Sequence, residues 1–82
     1  VRVFLMADAV TAGLSNQSTP QGYYNVERMF KAILSKGGQV KSCGTCVEAR
    51  GLKQLALVEG VEVSTMSQLA QWVVESGKVL TF

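Results

Sequence analysis

Val1-Arg2-Val3-Phe4-Leu5-Met6 opens the chain as a run of β-branched and large apolar residues with little alternation. Strict alternation would mark a strand with one wet face. A continuous run instead fits a strand covered on both faces, as in a parallel sheet held between helix layers. Asp8 follows at the carboxyl end of this strand. A polar stretch then runs from about Thr11 to Gly22 and holds Gly13, Asn16, Ser18, Pro20 and Gly22. Loops of that length inside compact domains are often functional, and this one is expected to gate access to a site.

From Tyr23 to about Lys36 the pattern turns helical. Val26, Met29, Phe30, Ile33 and Leu34 recur at the spacing of one apolar stripe. Asn25 suits the N-cap, Glu27 the first turn and Gly37 the left-handed stop, while Glu27 and Lys31 form an i,i+4 pair. Gln39–Ser42 reads as a short strand, with Cys43-Gly44-Thr45-Cys46 as the turn leaving it. A second helical segment spans about Cys46 to Leu57, bent or broken at Gly51. Gly60–Val63 reads as a short strand or an extended connection.

Thr65 and Gln68 match a capping box. The helix they open has Met66, Leu69, Ala70 and Val73 as its inner face and Gly77 as its stop. Trp72 lies slightly off that stripe, which suits either an outward subunit contact or a partly buried core position. Lys78-Val79-Leu80-Thr81-Phe82 reads as a final strand. Strands alternating with helices imply right-handed crossovers and an α/β fold. The expectation is a three-layer, mostly parallel sheet of about four strands flanked by helices. In such sheets, sites form beyond the carboxyl ends of the strands. Asp8 with its loop, and the Cys43–Cys46 turn, both fall at that edge.

Composition narrows the function. The 82 residues are 48% apolar and 17% charged with one proline, which suits one globular domain and excludes disorder. A chain this short is marginal as an isolated monomer. The eight basic residues are scattered, so no stripe points to direct nucleic-acid binding. No apolar run approaches the roughly 18 residues that cross a membrane. Histidine is absent, which removes Ser-His-Asp and Cys-His catalysis and the histidine pH switch. Two cysteines are too few for a secreted disulfide scaffold, so a reducing, cytoplasmic setting is expected. The chain begins with Val inside an apolar run, and residues are expected upstream of it.

Cys46 is the leading reactive candidate. It would stand in the first turn of a helix, where free N–H groups favour a thiolate, with Arg50 one turn on adding positive potential. Thr45 offers a hydroxyl, and Gly44 allows close backbone approach to a sulfur or substrate. The bland reading, cysteine as small apolar filler, stands beside this one. Cys43 completes a C-x-x-C of the kind in which one thiol attacks and the second resolves, or it simply ends a buried strand. Tyr23 and Tyr24 either line the site or pack. One C-x-x-C without histidine falls short of the four ligands of structural zinc unless subunits share a site, so no metal and no cofactor are expected.

The strings Val3-Phe4-Leu5-Met6-Ala7-Asp8-Ala9-Val10, Cys43-Gly44-Thr45-Cys46-Val47-Glu48-Ala49-Arg50-Gly51-Leu52 and Lys78-Val79-Leu80-Thr81-Phe82 resemble the DsrE/DsrF-like family, most closely its small YchN-like and archaeal members. Tyr23-Tyr24-Asn25 and the Gly60–Met66 stretch add to the likeness, which covers essentially the whole chain. The resemblance implies a single three-layer domain over 1–82 that lacks the strand and helix usually preceding Val1 in that family. It also implies assembly as a homo-oligomer, trimer or hexamer, with cysteine turns near subunit boundaries.

Several members of that family relay persulfide sulfur between protein cysteines. The sulfur-carrying cysteine maps onto Cys46, followed by Arg50-Gly51, and Cys43 is an extra shared with the YchN-like branch. The expected chemistry is a persulfide carrier of sulfurtransferase type, with catalytic Cys46, Cys43 and Arg50, and substrate contacts from Asp8, Gly44, Thr45 and Tyr23. Donor and acceptor proteins would be its partners. The alternatives are a non-catalytic oligomeric binding or scaffold subunit, and a dithiol redox protein using Cys43 and Cys46.

Overall fold

A computed structural model describes residues 1–19 and 24–82. Three strands, β1 (Arg2–Leu5), β2 (Gln39–Cys43) and β3 (Val61–Ser64), form a sheet in the order β1-β2-β3. Both pairings are parallel. The helices are α1 (Val26–Ser35), α2 (Gly44–Ala49) and α3 (Met66–Glu75), and a 3₁₀ helix spans Ala7–Gly13. The architecture is α/β, as the unalternating first strand predicts.

The register decides which side chains share a face. Val3 aligns with Val40 and Leu5 with Ser42, while Val40 aligns with Val61. On that face lie Phe30, Ile33 and Leu34 of α1 together with Val10 of the 3₁₀ helix. Phe4 aligns with Lys41 on the opposite face. There Trp72 of α3 packs edge-on against Phe4 at 6.1 Å, with Arg2 and Lys41 over its ring at 5.5 and 5.1 Å. Helices therefore cover the sheet from both sides. The crossovers β1 to β2 and β2 to β3 advance in one direction, so the right-hand rule sends α1 and α2 to one face. Past β3, α3 turns back over the other.

Local signals for α1 hold in detail. The Asn25 side chain accepts from the Arg28 N–H at 3.2 Å, Glu27 pairs with Lys31 at 2.9 Å, and Gly37 takes φ +85°. Of its stripe, Phe30 is buried and Ile33 and Leu34 half-buried, but Val26 and Met29 remain exposed. The Thr65 hydroxyl accepts from the Gln68 N–H at 3.3 Å and opens α3 as expected.

Four expectations are corrected. Residues 7–13 are 3₁₀ helix rather than the start of a loop. The segment after it is pinned: Val58 N–H donates to Gly13 O at 2.8 Å and Ser15 N–H to Ala56 O at 3.0 Å. The second helix is six residues, Gly44–Ala49, and the chain turns away at Gly51 with φ +66°. The inner face of α3 is Gln68, Leu69 and Trp72, not Met66, Ala70 and Val73. Trp72, 6% exposed, takes the core position, the second of its two expected readings, because Phe4 offers it an edge-on partner.

Finally, 78–82 form no strand, leaving three strands where about four were expected. A strand needs a ladder neighbour, and none reaches this segment among the described residues.

Ser42 is wholly buried and its hydroxyl has no hydrogen-bond partner among the described residues. An unpaired buried hydroxyl costs about 1–3 kcal/mol. Ser42→Ala should therefore raise the urea midpoint, by a gain of about 1 kcal/mol. A fall in the midpoint would show that the hydroxyl has a partner in solution.

Candidate functional site

The carboxyl ends of β2 and β3 lie side by side, with Cys43 opposite Ser64. From those ends α2 and α3 depart toward opposite faces of the sheet. Adjacent strands with diverging helices open a crevice between them, the place where open α/β sheets bind ligands. A cleft of about 730 Å³ occupies it. One wall is Cys43, Gly44 and Thr45, the other Ser64 to Ser67, and Leu52, Leu55, Leu57, Val63 and Met66 give it an apolar lining. Lys53 and Glu48 stand at its margin. Gly44 is required by packing: a Cβ there would meet Val63 Cγ1 at 3.1 Å and Ser64 O at 3.2 Å. The glycine brings the cysteine turn against β3, rather than against a substrate.

Cys43 caps α2 and Cys46 lies in its first turn, both as free thiols. Cys43 is 1% exposed, whereas Cys46 is half-buried. The Cys43 sulfur lies 3.3 Å from the Thr45 hydroxyl. Its pKa is pulled down from 9.0 to about 7. The main cause is the Cys46 thiol, able to donate to the thiolate, followed by the Thr45 hydroxyl and the Cys46 N–H; burial acts in the opposite sense. Local donors thus acidify Cys43.

Arg50 is engaged elsewhere. Its guanidinium donates to the Asp8 carboxylate at 2.8 and 2.9 Å and to the Cys46 carbonyl at 3.3 Å. It holds the Cys46 main chain against the 3₁₀ helix. Asp8, its side chain 97% exposed, is joined to the cysteine turn through Arg50. The structure therefore brings together Cys43, Gly44, Thr45 and Cys46, with Arg50 and Asp8 behind them. Tyr23 lies outside the described residues, and Tyr24 is exposed at 83%.

None of residues 14–19 lines the cleft, so that part of the expected gate stands away from it. The sequence argument missed the Ser64–Ser67 wall. The capping box at Thr65, directly after a short strand, was the available signal. Among the described residues no group of three or more metal-ligating side chains occurs, and no helix is long and apolar enough to cross a membrane.

Comparison with known proteins agrees with this architecture. Residues 1–82 match the model of the DsrE/DsrF-like family. Protein YchN of Escherichia coli (strain K12) is 46% identical over 82 residues, covering the whole of this chain and 69% of the relative. Uncharacterized proteins of Methanopyrus kandleri and Methanocaldococcus jannaschii are 39% and 38% identical, with 67% and 71% of their lengths covered. The crystal structure of the ychN protein from E. coli superposes with a TM-score of 0.91 at 47% identity, over 99% of this chain and 68% of that one. With the family pattern matched from end to end and the fold matched at this identity, the chain belongs to the DsrE/DsrF-like family.

Proposed function

We propose that the protein carries sulfane sulfur on Cys46, as a sulfurtransferase-type relay. The Cys46 thiolate attacks the outer sulfur of a donor persulfide, R–S–SH, forming Cys46–S–SH and releasing R–S⁻ with its proton balance unchanged. An acceptor thiolate then takes that sulfur in the same way and frees Cys46. Both steps are redox-neutral exchanges at sulfur, governed by thiolate availability. The observation that carries the reading is the pair of free thiols at the carboxyl end of β2, Cys46 half-buried and its acidified neighbour Cys43 on the wall of the cleft.

In this reading Arg50 is a positioning residue, fixing the Cys46 carbonyl, and Thr45 serves the Cys43 thiolate. The apolar cleft gives a donor or acceptor protein room to present its cysteine at the sheet edge. Free thiols suit a reducing compartment.

The proposal extends to assembly as a trimer or hexamer, as family members assemble. Val74 is 85% exposed and Leu80 73%, and Phe82 is fully exposed beside them in sequence. Apolar surface at the end of α3 and the segment after it is what an interface would cover.

Three outcomes check this. After brief incubation with a persulfide donor and an alkylating quench, the intact wild-type chain should gain about 32 Da, the mass of one sulfur. An unlabelled wild type, or a Cys46→Ser chain labelled equally, would sink the relay. For the acidified thiol, ultraviolet titration should show thiolate appearing around pH 7, shifted upward in Thr45→Val. The native state binds the Cys43 proton more weakly than the unfolded chain. Stability should therefore rise as pH goes from about 7 to 9 and be lost as pH falls through about 7. No thiolate signal in that range refutes the local-donor account. In sedimentation equilibrium at micromolar concentration, a stable folded 8.8 kDa monomer would refute the assembly.

A further inference from the structure

We propose that Cys43 is a second reacting thiol, which attacks the inner sulfur of the persulfide on Cys46, closes the Cys43–Cys46 disulfide and expels hydrosulfide. The inference rests on the reading of Cys46 as the sulfur-bearing residue and adds a fate for that sulfur. The balance is Cys43–S⁻ plus Cys46–S–SH giving Cys43–S–S–Cys46 plus HS⁻. The sulfane sulfur is reduced to sulfide while the two cysteine sulfurs are oxidised to the disulfide. A small dithiol or dithiol protein restores both thiols.

Accessibility separates the two roles. Cys46 is half-buried and can meet a donor, whereas Cys43, although part of the cleft wall, presents only 1% of its surface to reagents in solution. The electrophile best placed to reach Cys43 is therefore one carried by its neighbour. The two occupy the cap and third positions of the same short helix, a C-x-x-C spacing at which two thiols can join. The Thr45 hydroxyl, 3.3 Å from the Cys43 sulfur, stabilises the attacking thiolate. A nucleophile titrating near ambient pH is close to optimal for exchange at sulfur.

The leaving group decides which sulfur is attacked. Attack on the outer sulfur must expel the Cys46 thiolate, whereas attack on the inner sulfur expels hydrosulfide. Hydrogen sulfide is a stronger acid than an ordinary thiol, and the less basic group leaves faster. Outer attack would also move the persulfide onto Cys43, which is 1% exposed where Cys46 is half-buried.

The experiment loads the full chain with one equivalent of glutathione hydropersulfide, removes the excess, and follows intact mass and free sulfide with time. The wild-type adduct of about 32 Da should decay to a species about 2 Da lighter than the dithiol, with one sulfide per chain. Cys43→Ser should hold its adduct at least about tenfold longer and release no sulfide. Because a polar substitution at this buried position risks misfolding, Cys43→Ala and Thr45→Val are run beside it.

Thr45→Val should fold, release sulfide more slowly at neutral pH and recover at higher pH, a profile that a packing role would not produce. A wild-type adduct as long-lived as that of Cys43→Ser, or one decaying without a disulfide, overturns the inference and leaves the relay intact. No adduct, disulfide or sulfide from either chain overturns both.

Discussion

Everything at the site depends on one alignment, Cys43 opposite Ser64 in the parallel ladder between β2 and β3. That register brings two strand ends level, and the helices that follow them lie on opposite faces of the sheet. The crevice follows from topology before any side chain is specified. Gly44 then sets its width, since a Cβ there would press on Val63 and the Ser64 carbonyl. A slip of one residue would take Cys43 out of line with Ser64 and separate it from the Thr65 wall.

Much of this was legible in the sequence where the signal is local. The apolar run Val3–Met6, with little alternation, announced a strand covered on both sides. Asn25, Glu27–Lys31 and Gly37 marked α1, and Thr65 with Gln68 marked the start of α3, because caps and i,i+4 pairs involve residues within one turn of each other. The C-x-x-C placed itself at the carboxyl edge once the strand before it was recognised.

What stayed hidden depends on partners distant in the chain. The 3₁₀ helix over Ala7–Gly13 carries no periodic stripe, and backbone bonds from residues 13–15 to 56–58 hold the stretch after it. Residues 78–82 have a strand's composition, but composition cannot supply a neighbour. The stripe of α3 was read one position off because Trp72 is drawn inward by Phe4, Arg2 and Lys41 from two other strands. At the site, spacing correctly grouped the two cysteines with Thr45. It gave no sign that the Cys46 thiol and the Thr45 hydroxyl come within reach of the Cys43 sulfur and lower its pKa, because that depends on how the turn is folded.

The two sides of the dithiol are held by bonds of different character, and ionic strength separates them. On the Cys43 side, the wall is made by strand register and close packing around Gly44, which added salt hardly touches. On the Cys46 side, the link between α2 and the 3₁₀ helix includes the Asp8–Arg50 pair, with Asp8 almost fully in water. Such exposed pairs contribute about 0–1 kcal/mol, and mobile ions screen them over a Debye length of about 8 Å at physiological salt. The surface around the half-buried thiol is thus the one whose firmness varies with the surrounding electrolyte, while its covered neighbour keeps the same frame throughout.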